Sequence, residues 1–165
     1  MKTAVLSGAI AALVLMGAPS AFAQTTDTGA INVTANVNAK AKLTLGSASV
    51  TFADADPDVS PSIAATAVNV AVKTRTSAAG NVTLTVLASG DLTSGSDNIG
   101  IGNLTWTAGG SGFQAGTSNK TTAQTVGSWT GSGSPSGTQT YALANSWAYA
   151  TGTYTVTLNY TLTAP

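Results

Sequence analysis

Apolar and polar residues alternate without interruption from Ile31 to Leu45, where every odd position is apolar and every even position is polar. Because successive side chains of a β-strand point to opposite faces, this pattern predicts a strand with one buried face and one solvated face. At about 3.4 Å per residue such a strand would be about 50 Å long, whereas strands usually contain about 5–6 residues. The alternation therefore has two interpretations: it is the first strand of the domain, or part of it is an arm that reaches beyond its own domain.

Shorter alternations of the same kind predict most of the remaining strands. The strands around Val70 and Leu84 are separated by a short, glycine-containing segment, residues 77–81, so we expect them to pair as an antiparallel hairpin. Residues 107–140 are rich in Gly, Ser and Thr, and they predict long loops with one short strand near 123–129. The apolar positions that define the strands are Val50 and Phe52; Val68, Val70 and Val72; Val82, Leu84, Val86 and Ala88; Ile99 and Ile101; Leu104 and Trp106; Tyr141 and Leu143; and Tyr154, Val156, Leu158, Tyr160 and Leu162.

The sequence after residue 23 has no window with a helical period. Many short strands, frequent turns and two long terminal strands are typical of two packed sheets. The predicted fold class is therefore all-β, a single immunoglobulin-like antiparallel β-sandwich that strand exchange could complete, with a closed barrel as the alternative. We expect an amino-terminal arm or donor strand at residues 24–38 and the sandwich domain at 39–165.

Residues 1–23 have the organisation of a secretory signal peptide. Lys2 provides the positive start, the apolar run at 4–16 is too short to cross a bilayer as a helix, and Ala21–Ala23 forms a small-x-small cleavage site. A retained membrane anchor is the alternative. The sequence thus predicts export through the periplasm to the cell surface or the medium, with no membrane span after signal removal.

The composition excludes several classes of function. The chain has six basic and six acidic residues, so we expect no strongly basic face and no nucleic-acid partner. It has no Cys and no His, and it also lacks Glu. Disulfides, the usual transition-metal ligands and most general acid–base pairs are therefore missing, and we do not expect an enzyme.

Three carboxylates at alternate positions, Asp54, Asp56 and Asp58, resemble the first half of a hand-type Ca²⁺ loop. Val59 and Ala65 stand where such a loop would have its glycine and its bidentate glutamate. Two interpretations stay open: a metal site for Ca²⁺, which is the one cofactor that the sequence suggests, and a solvated loop between strands.

The three tryptophans, Trp106, Trp129 and Trp147, could together form a flat glycan-binding platform. Large aromatic residues at strand positions more often belong to a core or an interface. Both interpretations are kept as expectations.

Three segments of the chain resemble spore-coat-U-like domains and the subunits of archaic chaperone–usher pili. They are Leu43–Leu45 with Val50–Phe52 and Asp56–Pro57; Val68–Val72; and Gly152–Tyr160. In those pilus families each subunit is an immunoglobulin-like sandwich that lacks one strand, and the amino-terminal extension of the next subunit fills the gap.

That resemblance implies roles for two sets of residues. Ile31, Val33, Ala35 and Val37 would form the donor strand, whereas Val156, Leu158, Tyr160 and Leu162 would line part of the acceptor groove. It also implies a periplasmic chaperone as a partner during transit.

The leading hypothesis is a secreted structural subunit of a bacterial surface fibre, pilus or coat. It would self-associate, or join related subunits, through complementation of β-strands. The alternative is a monomeric extracellular module that binds glycan or cell wall through residues 107–140 and the tryptophans.

Overall fold

The computed structural model describes residues 25–165 of the chain, so the predicted signal peptide at 1–23 lies outside the described residues. The chain divides into two units, one ending at Ala35 and the other comprising Asn36–Pro165. In the first unit, residues 25–35 are exposed and contain no strand. Within the described residues, no helix has the length and apolar character needed to cross a bilayer.

The unit at Asn36–Pro165 is all-β and its strands pair antiparallel, which confirms the predicted fold class at that level. The strands are β1 (Lys40–Leu45), β2 (Ser62–Ala64), β3 (Val68–Arg75), β4 (Asn81–Ala88), β5 (Leu92–Ser94), β6 (Asp97–Ile99), β7 (Leu104–Gly109), β8 (Gly116–Thr117), β9 (Gln124–Thr130), β10 (Ser136–Ala144) and β11 (Leu158–Thr163).

Two sheets contain most of these strands. The large sheet has the order β1-β3-β10-β7-β8, and β2 also pairs with β10. The small sheet has the order β11-β4-β9, and β5 and β6 form a separate hairpin. The two sheets share one hydrophobic core, so the arrangement is that of a β-sandwich. The large sheet contributes Val70, Val72, Trp106 and Tyr141 to this core, and the small sheet contributes Leu84, Val86 and Val126.

The two ends of the sandwich are distinguished by the direction of β3. At the end where β3 finishes, which we call the Arg75 end, Lys40 pairs with Arg75, and Thr76 Oγ1 donates a hydrogen bond to the carbonyl oxygen of Pro165. At the opposite end, which we call the Val68 end, β10 continues past its pairing with Val68 to Ala144. The strands β1 and β11 therefore run in opposite directions between these ends.

Of the alternating segment 31–45 only Lys40–Leu45 forms a strand, so the interpretation of the whole segment as one strand is wrong. The exposed fractions of Ile31, Val33 and Val37 are 91%, 88% and 68%. The pairing of β1 with β3 stops where β3 ends. The backbone N–H of the next residue, Thr76, donates a hydrogen bond to Ser132 Oγ, so it is not available to pair with residues before Lys40. A strand needs such a partner for its main-chain groups.

The predicted hairpin between β3 and β4 is also wrong. The two strands belong to different sheets, and the segment between them crosses from one sheet to the other. Val70 and Leu84 are both fully buried and belong to the same core. The two alternating patterns therefore face each other across the core instead of lying side by side.

The segment 107–140 contains more strand than predicted. The expected short strand near 123–129 corresponds to β9, but β10 begins at Ser136 and lies in the middle of the large sheet. Its first half is polar in sequence, so alternation did not identify it. Pairing on both sides, with β3 and with β7, stabilises this segment as a strand.

Candidate functional site: an open apolar groove

An apolar groove with a volume of about 400 Å³ opens between the sheets. One wall follows the end of β1 and the segment after it, with Leu45, Val50 and Phe52. The other wall consists of residues 154–158 and Tyr160. Its floor consists of buried core side chains, namely Val68, Leu92, Leu104 and Tyr141. The groove is thus an exposed continuation of the hydrophobic core.

Both strands beside this groove have an unpaired edge. In the large sheet β1 pairs only with β3, and in the small sheet β11 pairs only with β4. Before β11, Thr155 exchanges two main-chain hydrogen bonds with Thr93, at 3.1 and 3.0 Å, and Thr157 O accepts one from Ser89 N at 2.9 Å. Main-chain groups alternate along a strand, so those of Val156 and Leu158 point to the opposite, unpaired side.

The other side of the sandwich is closed. Gln114 N donates to Val126 O at 3.0 Å and Ser128 N donates to Gly112 O at 2.9 Å, so the segment before β8 covers the outer edge of β9. The same segment then continues into β8, which pairs with β7 of the large sheet. Residues 112–117 therefore span both sheets. Edges that could accept a further strand are concentrated at β1 and β11.

A polar bridge joins the sheets beside the groove. Tyr160 of β11 donates its hydroxyl hydrogen to Gln139 Oε1 of β10, and the Tyr141 hydroxyl is hydrogen-bonded to that of Tyr160. Burial raises the pKa of both tyrosines above its usual value, and for Tyr160 the neighbouring Tyr141 raises it further. Gln139 is fully buried, and its Nε2 has no hydrogen-bond partner. Both hydroxyls therefore stay protonated and neutral at physiological pH.

Three of the four residues expected in the acceptor groove line it: Val156, Leu158 and Tyr160. Leu162 lies further along β11, opposite Leu84, and is not part of the lining. Sequence reasoning assigned no groove residue to the opposite wall. The apolar pair Val50 and Phe52 was visible in the sequence, but nothing there indicated that it faces β11.

The expected donor residues lie in a segment without strand structure. Ile31, Val33 and Ala35 belong to the first unit, whereas Val37 belongs to the unit that contains the groove. One residue further on, Asn38 O accepts a hydrogen bond of 2.8 Å from Arg75 Nε. This bond holds the chain beside the last residue of β3.

Two of the three carboxylates considered for Ca²⁺ accept local hydrogen bonds. Asp56 Oδ1 accepts a hydrogen bond from Asp58 N at 2.9 Å, and Asp58 Oδ1 accepts one from Trp147 Nε1 at 3.1 Å. Within residues 25–165 no three carboxylates form a group that could hold a metal ion, so Asp54 does not join the other two in a ligand set.

The three tryptophans are not brought together on one surface. Trp106 is only 2% exposed, lies in the core and donates Nε1–H to Gln114 O at 2.8 Å. Trp129 is half-buried and packs edge-on against Phe113, with ring centroids 4.9 Å apart. Trp147 is 70% exposed and is the only one of the three in open contact with solvent.

The sequence was compared with protein-family models and with curated proteins. A scan against protein-family models finds no match, and no curated protein matches the sequence. The function of the protein is therefore inferred from the groove, the strand edges and the sequence patterns.

Proposed function

We propose that this protein is a secreted structural subunit of a bacterial surface fibre, pilus or coat that assembles by complementation of β-strands. Residues 29–38 of one copy would enter the groove of the next copy. The observation that carries this proposal is the apolar groove beside two unpaired strand edges, at β1 and β11. An inserted strand would bond to these main-chain edges and cover exposed core side chains.

The arm has the side-chain pattern that such an insertion needs. Ile31, Val33, Ala35 and Val37 lie on one face of an extended chain, and three of these four side chains are strongly exposed. Full burial of an Ile or Val side chain contributes about 1.5–3 kcal/mol. Burial of several such side chains, together with new main-chain hydrogen bonds, would stabilise both the groove and the assembly.

Insertion into a neighbour is favoured over folding back. A return through a two-residue hairpin turn before Lys40 would require positive φ at one or both central residues. Among the described residues no non-glycine residue has positive φ, and residues 38–39 contain no turn. Arg75 instead holds Asn38 beside the end of β3.

The positions of the arm and the groove favour a head-to-tail assembly. The arm joins β1 at the Arg75 end, whereas the walls of the groove follow the end of β1 and precede β11, towards the Val68 end. Contacts between unlike ends generate open chains when the rotation does not close. This proposal also includes export through the predicted signal peptide and a periplasmic chaperone that would protect the groove before assembly.

One deletion and two sets of substitutions test the proposal. The mature chain should form filaments visible by negative-stain microscopy, whereas a chain without residues 24–38 should stay monomeric and unfold at lower denaturant concentration. A variant with Ile31→Asn, Val33→Asn and Val37→Asn should behave like the deletion. The matched control, Asn32→Ser with Asn36→Ser, changes only the polar face and should still assemble. Equal stability and a monomeric state for all four proteins would contradict the proposal.

A second candidate, a monomeric module that binds glycan or cell wall, is favoured by one observation. Trp147 exposes most of its surface, and its hydrogen bond to Asp58 fixes the orientation of the ring. Flat aromatic faces bind the apolar faces of sugar rings, and carboxylates accept hydrogen bonds from their hydroxyl groups. A change in tryptophan fluorescence with a glycan or peptidoglycan panel, lost in Trp147→Ala, would support this candidate.

A further inference from the structure

Four cationic side chains are concentrated on one outer face of the large sheet. Lys40 pairs directly with Arg75, and Lys42 pairs directly with Lys73. All four are exposed, on the face opposite the core. Like charges in directly paired positions destabilise a sheet. From the composition we expected no strongly basic face, but the pairing of β1 with β3 brings these four residues together. We call them the basic patch.

The basic patch has no acidic partner within its own domain. Among the described residues the single salt bridge joins Lys120 and Asp91 at 2.6 Å and includes no residue of the patch. The patch is therefore a cluster of exposed cations at the Arg75 end that has no salt-bridge partner among the described residues.

Acidic side chains are concentrated at the other end. Asp54, Asp56 and Asp58 follow the groove wall at Phe52, and this loop is attached to the residues after β10. The attachment consists of two hydrogen bonds from Asn145 Nδ2, to Ala55 O and Ser60 O, and of the bond between Trp147 and Asp58. Since β10 ends at the Val68 end, these three carboxylates lie there; we call them the acidic loop.

The acidic loop is exposed and rigidly held. Asp54, Asp56 and Asp58 are all solvent-exposed, and none of them forms a salt bridge in the described part of the chain. Asp56 and Asp58 are fixed by the hydrogen bonds described above, which reduces the conformational entropy that a partner would have to remove. The loop also carries Val59, an exposed apolar side chain next to the carboxylates.

We propose that the basic patch of one copy docks against the acidic loop of the next copy. This inference rests on the proposed function, because strand insertion is what brings unlike ends together. Charges of opposite sign on the two ends accelerate the encounter of two copies and disfavour contact between like ends. The occupant of the basic patch is therefore a second copy of this chain in the head-to-tail orientation.

The length of the arm is compatible with this contact. Lys40 lies three positions after Val37, the last donor side chain, and an extended chain covers about 3.4 Å per residue. An inserted Val37 would therefore hold Lys40 within about 10 Å of the neighbour's groove. The acidic loop begins immediately after the groove wall, so both charged surfaces come within range of each other, about one Debye length at 0.1 M salt.

Charge variants of each end test the inference. The basic-end variant carries Lys40→Glu, Lys42→Glu and Lys73→Glu, which leaves Arg75 and its bond to Asn38 intact. The acidic-end variant carries Asp54→Lys, Asp56→Asn and Asp58→Asn, because Asn keeps the oxygen acceptors that hold the loop. Circular dichroism and thermal unfolding of each arm-deleted variant check that the domain still folds. Light scattering at low ionic strength measures assembly of the full mature chains.

Each variant alone should assemble at least about tenfold more slowly than the parent chain, within the range typical of electrostatic steering. An equimolar mixture should recover most of the parent rate, since each altered end then meets an oppositely charged end. Added salt should slow the parent but not the separate variants.

Two outcomes would overturn the inference while leaving strand insertion intact. One is assembly of both variants at the parent rate. The other is slow assembly that the mixture does not restore, which would mean that opposite charge on the two ends is not what assembly requires. If the parent chain itself does not assemble, or if deletion of residues 24–38 has no effect, the proposed function fails as well.

Discussion

The hydroxyl group of Tyr160 donates a hydrogen bond to Oε1 of Gln139 and thereby joins the free-edged strand β11 to β10 in the middle of the large sheet. The two side chains come from different sheets, so this bond crosses the sandwich. Tyr160 also lines the groove. Tyr160 thus joins the two sheets across the core and also contributes to the surface that would receive a donor strand.

Removal of this hydroxyl should destabilise the domain. In Tyr160→Phe the fully buried Gln139 loses the partner of Oε1, and a buried polar atom without a partner costs about 1–3 kcal/mol. Chemical denaturation of the arm-deleted chain measures the free energy of unfolding. Tyr154→Phe is the matched control, because its hydroxyl bonds to Ala150 O at an exposed site. An equal loss of stability in both variants would argue against the bridge.

The raised pKa values of Tyr141 and Tyr160 predict a loss of stability at alkaline pH. Burial raises both values in the folded state, so the folded protein retains these protons after an unfolded tyrosine, with a pKa of about 10, has lost them. Their contribution is complete below about pH 9 and declines as the pH rises above about 10. The limiting slope is about 1.4 kcal/mol per pH unit for each group.

The double variant Tyr141→Phe with Tyr160→Phe isolates this effect. Its free energy of unfolding should fall less between pH 9 and pH 11 than that of the parent chain, because other titrating groups are common to both proteins. Parallel pH profiles for the two proteins would show that the tyrosines do not contribute.

The closed side of the sandwich depends on a glycine. A Cβ atom on Gly116 would lie 2.5 Å from the Trp106 ring, whereas a Cβ atom on Gly90 meets nothing within 4 Å. Overpacking of a core site typically costs about 1–3 kcal/mol. Gly116→Ala should therefore lower the free energy of unfolding by that amount, and Gly90→Ala should change it much less. Similar values for the two variants would contradict the packing described for β8.

The alternation of apolar and polar residues was sufficient to predict the all-β class and most core positions. Alternation is a local property, however, and it does not specify which strands pair. Val70 and Leu84 were assigned to one hairpin, although each belongs to a different sheet. The polar start of β10 was missed because Gln139 is buried through a hydrogen bond from a residue that is distant in sequence, Tyr160.

Part of the candidate site could also be predicted from the sequence. The resemblance to pilus subunits assigned Val156 and Leu158 to a groove, and both residues line the groove of the structure. The basic patch could not be predicted, since it arises only when β1 and β3 pair in the register that places Lys42 opposite Lys73.

The bond between Arg75 and Asn38 should influence where the arm goes. Arg75→Lys keeps the positive charge but loses the guanidinium geometry that reaches Asn38 O. We expect a larger fraction of monomers in sedimentation velocity experiments, because an arm without this anchor can fold back onto its own domain. The control Lys73→Arg keeps the charge of the patch and should assemble like the parent. Unchanged assembly of Arg75→Lys would show that the anchor does not direct the arm.

The central claim, insertion of the arm into a neighbouring groove, can be tested most directly by cross-linking between two single-cysteine chains. The protein has no Cys of its own, so Val33→Cys and Val156→Cys each introduce a unique thiol. The two variants are mixed, allowed to assemble and treated with a short bis-maleimide reagent. A mixture of Val33→Cys with Ser128→Cys, an exposed position on β9 at the closed side of the sandwich, is the control.

We expect a strong cross-linked band between Val33→Cys and Val156→Cys, and little cross-linked product with the control. Filaments that give no more of this product than the control, or a chain with both substitutions that cross-links within a monomer, would contradict insertion into a neighbour.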